Sequence, residues 1–476
     1  MLISIEHKTA NQESHPFATA VGKLSFEQKQ YKEEEYFFRG TANVYEEDEQ
    51  NGMNVIHEQL PYCNRLLLRR PSDMAGFSGN VIIEILNATA GFDIDRMWVL
   101  GAEEIMRDGA VYVGITSKPD VLDVMKKFDP DRYREISWDI PYKRTANTYE
   151  YADPVTVPKH QECETGLFWD MLTDIAMLLR SSKTIIPSDR KRYLYLTGWS
   201  QSVSYMSTYI NYFVNGENER VSFDGYLAAG GVHSVITPLC QDDYGRYNDY
   251  KRTMLELMPS PYIAVQTESE NAYFMGYEAR QEDSDTLPVR YRCYELAGAT
   301  HDTVYSQIDY YAGDKDMEKI NLTPRYIGSN EYPNDFPSQY QMRAVFRILF
   351  NWVRHNILPP HGQRIETDSS RENKKDCYGN AVGGIRSPFI DCPVAVYFPY
   401  SDVEAGLMDG DRYGLFGHMI PFTAGKLKEL YGNLAGYIKQ VELSCEEQIA
   451  KGFLLKEDRE ELIRDAAERA AGYGLM

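Results

Sequence analysis

The sequence predicts an α/β fold with a mostly parallel central sheet and helices on both of its faces. From residue 80 onward, short runs rich in β-branched and aromatic residues alternate with segments long enough for helices, as in the crossover units that build a parallel sheet. The composition, with 43% hydrophobic and 25% charged residues in a chain of 476, is typical of a globular protein with a sizeable core. One large α/β domain accounts for this pattern.

The order of the elements supports the same fold class. Each predicted strand is a short apolar run, and the longer segments between strands show the apolar periodicity of helices. In chain order, strands are predicted at 80–88, 110–116, 192–199, 223–230, 261–268 and 289–298, and helices at 95–109, 166–181, directly after Ser200, and near 339–357.

The regions outside this alternation define the domain organisation. Residues 1–60 contain acidic runs and are predicted to be an N-terminal extension of edge strands and solvated turns, while 61–476 form a single domain. Within that domain, 118–160 is rich in Asp, Pro, Arg and Tyr and is too long for an ordinary connection, so we expect a lid or rim over one end of the sheet. Residues 400–476 are expected to form amphipathic helices that pack on the main body.

Charge and cysteine content exclude several classes of protein. A formal net charge of -21 repels phosphate backbones, so nucleic acid is not an expected partner. The N-terminal residues lack a basic segment followed by an apolar one, and no run of about 18 apolar residues occurs, so neither export nor a membrane span is predicted. Seven scattered cysteines without a CxxC pair indicate reduced thiols and a cytoplasmic location.

One serine lies where a predicted strand turns into a predicted helix. In the stretch GWSQS, Gly198, Ser200 and Ser202 approximate the G-x-S-x-G nucleophile elbow, in which small flanking residues allow a strained turn that exposes the serine hydroxyl. Ser202 occupies the position of the final glycine. The alternative is a Gly-Ser turn that only caps a helix, but the strand before and the helix after Ser200 are the context that the elbow requires.

A nucleophilic serine needs an imidazole base and a carboxylate that orients it, expected here in the order acid and then histidine on loops after later strands. Two glutamates, Glu268 and Glu270, follow the strand at 261–268, and His301 follows the strand at 289–298. Glu270 is the favoured acid because it lies farther into the loop, and Glu268 is the alternative. The glutamate that is not used could simply open a helix near its positive end.

The other histidines fit this role less well. His233 also follows a predicted strand, but it precedes both glutamates and would reverse the expected order, so we interpret it as a rim residue. His355 and His361 flank a Pro-Pro turn and are predicted to be surface or helix-end residues. Neither has a third ligand at a plausible spacing, so no metal site is predicted.

An oxyanion formed during acyl transfer needs two backbone N–H donors. One is expected from Gln201, the residue after the serine. The other is expected from the loop after the strand at 80–88, which contains Asn87, Ala88 and Thr89. Within this loop, we predict that Asn87 or Ala88 supplies the second donor. An ordinary strand end and turn remains the alternative for this loop.

Several separated segments of the chain resemble one known family. The sequence is similar to the alpha/beta hydrolase domain family of bacterial proteins over nearly its whole length from about residue 60. The resemblance implies an α/β-hydrolase fold and serine hydrolase chemistry, with Ser200, Glu270 and His301 as nucleophile, acid and base; the family often has glycine where this chain has Ser202. The matching segments, in order, are RLLLRRPSDMAGFSGNVIIEILNATAGFDIDRMWVLGAEEIMRDGAVYVGIT, GWSQS, VQTESE, ELAGATHD, GNAVGGIRSP, PFTAGKLKELYGNLAGYIKQV and GFLLKEDREELI.

These residues predict a cytoplasmic serine hydrolase that cleaves a small-molecule carboxylic ester or lactone through an acyl-enzyme intermediate, with no cofactor. Two alternatives remain open at this stage. The same triad could transfer the acyl group to an alcohol or amine, which would make the protein an acyltransferase. A ligand-binding protein that kept the fold without turnover is the other alternative, because a fold does not determine function.

Overall fold

In the computed structural model, His233 and residues 143–161, which include part of the lid predicted at 118–160, lie outside the residues described below. The residues described are 1–18, 25–48, 52–142, 162–215, 223–231, 237, 239–240, 257–273, 276–277, 280–323, 332–401 and 414–476.

A nine-stranded sheet forms the centre of the molecule, in the order β1-β2-β3-β5-β4-β6-β7-β8-β9. The six strands from β5 to β9 in this order pair in parallel, and β1, β2 and β3 continue the sheet as antiparallel strands. The parallel strands are buried along almost their whole length, as expected when helices cover both faces. The bounds of the nine strands are β1 Leu2–Lys8, β2 Tyr31–Glu47, β3 Met53–Pro71, β4 Asn80–Ile85, β5 Val111–Ile115, β6 Tyr193–Trp199, β7 Gly225–Ala229, β8 Met258–Thr267 and β9 Val289–Leu296.

Helices pack on this sheet in two groups. The first and seventh helices pack against each other and contact the central strands. The third and fourth helices contact each other through rings of Phe168, Trp169 and Tyr205. The bounds are α1 Arg96–Asp108, α2 Leu122–Phe128, α3 Phe168–Ser181, α4 Gln201–Tyr209, α5 Glu268–Tyr273, α6 Lys315–Ile320, α7 Gln339–His355, α8 Pro388–Asp391, α9 Ala424–Tyr431, α10 Leu434–Lys451 and α11 Arg459–Gly472.

A smaller antiparallel sheet and the last helices form the C-terminal part. Its strands are β10 Tyr332–Pro333, β11 Ala395–Phe398 and β12 His418–Pro421, in the order β10-β12-β11. The sequence does not predict this sheet, because its strands are too short to show an alternating pattern. The helical C-terminal region is confirmed, and its helices begin at Ala424.

The predicted strands and helices of the central α/β unit are confirmed, with bounds shifted by a few residues. The strand predicted at 261–268 begins earlier, at Met258. Residues 60 and 61 lie within β3, which pairs with β2 on one side and with β5 on the other. The N-terminal strands are therefore part of the central sheet. No helix among the described residues is long and apolar enough to cross a membrane.

The described part of the predicted insertion forms a packed layer. Met125, Phe128, Tyr133 and Trp138 are buried, and Ser137 forms an isolated antiparallel bridge with Cys63 of β3. This layer therefore contributes to the core beside the antiparallel strands.

Buried ion pairs connect β2 and β3 to the loop between β4 and α1. The guanidinium of Arg65 is 1% exposed and lies 3.0 Å from the Glu35 carboxylate and 2.9 Å from that of Asp93. Arg69, which is fully buried, pairs in the same way with Glu33 and Asp95. A buried charge is stable only when it is paired and hydrogen-bonded, so these pairs fix the loop relative to β3.

We predict that Arg65→Met destabilises the protein by about 3–5 kcal/mol, because it leaves the buried Asp93 without its cation and Glu35 with Arg132 alone. The free energy of unfolding from urea denaturation measures this effect. Arg134→Met is the control, since Arg134 and Asp131 form a pair whose side chains are 72% and 90% exposed. Such a pair contributes at most about 1 kcal/mol. Similar losses in the two variants would contradict the structural role of the buried pairs.

Candidate active site

The turn between β6 and α4 holds Ser200 in an unusual backbone conformation. Ser200 has φ 58° and ψ -121°, a region that disfavours residues with a Cβ. Such a conformation costs about 1–3 kcal/mol, so the surrounding structure must hold it in place. This is the geometry of a nucleophile elbow, and Ser200 remains partly exposed.

Hydrogen bonds from two neighbouring segments hold the elbow. The Ser200 amide donates to the carbonyl of Ala229, at the end of β7, at 3.0 Å. The side-chain Nδ2 of Asn87 donates to the Trp199 carbonyl at 3.1 Å. The peptide group between Trp199 and Ser200 is therefore held on both of its polar atoms, by the loop that follows β4 and by the last residue of β7.

Close packing around the elbow requires small residues. A Cβ on Gly198 would lie 2.6 Å from the Cβ of Ser202, and a Cβ on Gly230 would lie 2.2 Å from the indole of Trp199. Gly230 also has a φ of +61°, which favours glycine. Because Gly198 has no side chain, the buried Ser202 fits where the motif has its second glycine.

A short hydrogen bond joins His301 and Glu270. The Nδ1 atom of His301 lies 2.7 Å from Oε1 of Glu270, and both side chains are buried. The other oxygen of Glu270 accepts the backbone N–H of Thr267 at 2.5 Å. A carboxylate is only an acceptor, so Nδ1 of the neutral ring carries the proton and Nε2 keeps its lone pair.

The charges around His301 set the direction of its pKa. Burial of the ring by itself lowers the pKa, but the hydrogen bond and negative charge of Glu270, with the charge of Asp302, outweigh it and raise the pKa above its usual value. The positive charge of Arg96 acts in the opposite direction. The imidazolium is therefore stabilised by carboxylates on two sides.

The structure brings the predicted residues to one edge of the sheet. The ring centroids of His301 and Trp199 are 5.5 Å apart, and Ser200 directly follows Trp199. Ser200, Glu270 and His301 follow the carboxyl ends of β6, β8 and β9, where ligands bind in open α/β sheets.

Glu268 has a different set of contacts. Its Oε2 accepts the Gly298 amide at 2.9 Å, and its Oε1 accepts Nδ2 of Asn373 at 2.9 Å and Nζ of Lys375 at 2.8 Å. Glu268 therefore anchors the turn that leads to His301, while Glu270 contacts the imidazole itself.

The expected oxyanion residues differ in how their amides are used. The Asn87 amide donates to the Ile94 carbonyl at 3.1 Å, so the expectation that Asn87 supplies an oxyanion donor does not fit the structure. The Thr89 amide donates to Oδ1 of Asn87 at 2.8 Å. Within the described chain, no acceptor is seen for the Ala88 amide, and Gln201 is the first residue of α4, where amides lack an intrahelical partner.

Sequence reasoning missed the residues that hold the histidine loop. The Ser269 hydroxyl accepts the His301 amide at 3.1 Å and donates to the Pro399 carbonyl. The Asp302 amide donates to the Leu415 carbonyl at 3.1 Å. Because these carbonyls come from a segment about 100 residues later in the chain, no local pattern indicates them.

The remaining histidines lie away from this cluster or outside the described residues. His233 falls outside them. His361 is exposed and lies 3.0 Å from Asp283, and His355 is the exposed last residue of α7. Among the residues with described positions, no group of three His, Cys, Asp or Glu side chains is arranged to hold a metal ion.

Comparison with known proteins relates the chain to one family. A family model described as an alpha/beta hydrolase domain matches residues 5–464, and no curated protein matches the chain.

Solved structures that resemble the chain include three hydrolases. A glucuronoyl esterase from Solibacter usitatus is 12% identical, with 68% of this chain and 86% of that chain covered and a TM-score of 0.31. A thermostable esterase from Pseudomonas putida is 12% identical, with 64% and 84% covered and a TM-score of 0.34. The siderophore hydrolase EstA from Aspergillus nidulans is 14% identical, with 63% and 97% covered and a TM-score of 0.30.

We predict that Gly198→Ala destabilises the protein by about 1–3 kcal/mol, because its new methyl group overlaps Ser202 and forces the elbow to shift. Thermal unfolding measures the effect. The control is Gly425→Ala in α9, where the nearest atom to a new Cβ is 3.9 Å away. If both variants unfold at the wild-type temperature, the elbow is not tightly packed.

We also expect Glu270→Gln to lower the pKa of His301, because the substitution removes the charge that stabilises the imidazolium and leaves the effect of burial. Titration of the imidazole by NMR measures the pKa, with the His301 signal assigned by its loss in His301→Gln. Glu268→Gln is the control, since Glu268 contacts the turn rather than the ring. A larger shift in the control would identify Glu268 as the partner of His301.

Proposed function

The chain belongs to the alpha/beta hydrolase domain family, and from this we propose that it is a serine hydrolase that cleaves a small-molecule carboxylic ester or lactone. The observation that carries the proposal is the 2.7 Å bond between His301 and Glu270, beside a serine in the left-handed conformation of a nucleophile elbow. A strained serine and an oriented imidazole together support nucleophilic catalysis.

In the first proposed step, Nε2 of His301 takes the proton of the Ser200 hydroxyl while Oγ forms a bond to the substrate carbonyl carbon. The imidazolium that results is stabilised by Glu270, which stays ionised. The raised pKa of His301 supports this role, because it makes the ring a stronger base once it is neutral.

Two backbone amides are proposed to bind the oxyanion of the tetrahedral intermediate. Gln201 supplies one from the N-terminus of α4, where the helix dipole also favours negative charge. Ala88 supplies the other, since its N–H has no acceptor in the described chain and its loop contacts the elbow through Asn87. Each such donor contributes about 10²–10³-fold to the rate of acyl transfer.

The intermediate then releases the alcohol and the acid in turn. The bond between the acyl carbon and the alkoxide oxygen of the substrate breaks, and His301 gives its proton to the departing alkoxide. The acyl group stays on Ser200 as an acyl-enzyme ester. His301 next takes a proton from water, whose oxygen attacks the acyl carbon, and returns that proton to Oγ of Ser200 as the acid leaves. The groups proposed for these steps are protein side chains, backbone amides and water.

The seven scattered cysteines, which include no CxxC pair, support a reducing compartment as the place of action, because a disulfide framework is typical of oxidising compartments. We propose the cytoplasm on this ground. The acidic net charge of -21 supports a small molecule, and not nucleic acid, as the substrate.

We predict that a fluorophosphonate probe labels the wild-type protein and Ser202→Ala but not Ser200→Ala. The Ser202 variant is a matched control, because alanine keeps the Cβ that packs against Gly198. With p-nitrophenyl esters and lactones, kcat/KM should fall by roughly 10⁴-fold or more in Ser200→Ala and much less in Ser202→Ala.

Other outcomes would overturn this function. An unlabelled wild-type protein that does not turn over esters would favour a ligand-binding role. Ester consumption that produces a new ester or amide only when an alcohol or amine is added, with no free acid, would identify an acyltransferase.

A further inference from the structure

Arg96 is a buried arginine close to the proposed nucleophile and base. It is the first residue of α1 and is 2% exposed. The centre of its guanidinium lies 5.9 Å from the centroid of the Trp199 ring. Because Trp199 precedes Ser200 and its ring lies 5.5 Å from that of His301, Arg96 borders the site on the side of the loop between β4 and α1.

The hydrogen-bonding capacity of Arg96 is mostly unused. Its Nη2 donates to Oδ1 of Asp302 at 2.9 Å, but Nε and Nη1 are buried and have no acceptor among the described residues. The indole N–H of Trp199 is also buried without an acceptor in this part of the chain. Leaving such donors unpaired costs about 1–3 kcal/mol each, and more for a charged group, so a missing acceptor is indicated at this position.

Arg65 shows how this protein stabilises an arginine that serves only the fold. Its guanidinium contacts the carboxylates of Glu35 and Asp93 and the carbonyl of Phe17. Arg96 has a single carboxylate oxygen from Asp302. Arg69 also has one unpaired nitrogen, Nη2, but it has two carboxylate partners. Among the described residues, the set of partners around Arg96 is therefore the less complete one.

Helix α1 does not need a cation at its first residue. A positive charge near the N-terminus of a helix opposes the helix dipole. The first amides of α1 are instead accepted by Glu84, whose carboxyl oxygens lie 2.9 and 3.1 Å from the amides of Met97 and Trp98. A local rule broken beside a functional site is more consistent with function than with helix stability.

We propose that Arg96 binds a carboxylate of the substrate, so that the natural ester or lactone carries a negative charge in addition to the group that is cleaved. The inference rests on the proposed function and deepens it. A guanidinium is well suited to this task, because it stays charged and its N–H groups donate charge-assisted hydrogen bonds to carboxylate oxygens. A local cation also offsets the repulsion that a chain of net charge -21 exerts on an anion.

Solvent does not reach the unpaired nitrogens of Arg96, so the ligand must displace part of the surrounding wall. In exchange, the ion pair forms in a medium of low dielectric, where charge interactions are strong. An anionic ester is therefore expected to bind at least about tenfold more tightly than its neutral counterpart, the difference that one charge-assisted hydrogen bond supplies.

Calorimetric binding to Ser200→Ala, which keeps the ligand intact, tests the proposal without turnover. The ligands are 4-carboxyphenyl butyrate and monophenyl glutarate, which carry the carboxylate on the alcohol side and on the acyl side, each compared with its methyl ester. We expect one of the two acids to bind at least about tenfold more tightly than its methyl ester, and this preference to disappear when Arg96→Gln is added.

Three further variants separate recognition from structure. Arg96→Lys should retain part of the preference, because it keeps the charge. Asp302→Asn should keep or increase it, because it removes the carboxylate that competes for Arg96. Arg347→Gln is the control, since this arginine of α7 pairs with Glu104 and Glu457 and should leave the preference unchanged.

Equal binding of acid and methyl ester in both pairs, or equal losses in Arg96→Gln and Asp302→Asn, would overturn the proposal and reduce Arg96 to a structural ion pair. These results do not depend on hydrolysis. A protein that prefers the anion but is not labelled by the fluorophosphonate probe would support the carboxylate site and contradict the proposed function. In an active enzyme, Arg96→Gln should raise KM for the anionic ester more than it lowers kcat.

Discussion

The left-handed backbone of Ser200 is the constraint on which the rest of the site depends. A residue with a Cβ adopts φ 58° only when its neighbours leave no alternative. The last residue of β7 and the loop after β4 satisfy that condition, through the Ala229 carbonyl and the Asn87 side chain, and Gly198 and Gly230 permit the close approach. The strain is thus opposed by contacts from three parallel strands, which places the hydroxyl at the edge of the sheet where ligands bind.

The histidine loop depends on a different part of the chain. Its position is fixed by Ser269 and by carbonyls from the C-terminal segment, and the Asn334 side chain donates to the Gly298 carbonyl at 3.1 Å. The small second sheet and its connections therefore act as a support for His301. An α/β unit that ends at β9 would therefore lack contacts that hold the backbone of the proposed base, because these come from beyond residue 330.

Local patterns predicted the parallel strands and the main helices, because the spacing of apolar residues within each segment reflects its secondary structure and its burial. They also located Ser200, since the elbow is a short motif in a strand-helix context. They favoured Glu270 as the acid but kept Glu268 as an alternative, because the two lie two residues apart. What distinguishes them is that Asn373 and Lys375 contact Glu268, a tertiary fact with no sequence signal. The same limit explains Asn87, whose amide is occupied by a bridge to Ile94 that spacing does not reveal.

Buried ion pairs connect β3 to the loop that contacts the elbow. Arg65 and Arg69 bind Asp93 and Asp95, which lie in the loop between β4 and α1, while Asn87 in the same loop bonds to the elbow. A buried ion pair tolerates little displacement, since each ångström of separation exposes an uncompensated charge to a medium of low dielectric. The loop that carries Ala88 is consequently held by β3 on one side and by the elbow on the other. Preorganised amides stabilise developing charge because they need not reorient, and this double attachment supports the oxyanion role that we propose for Ala88.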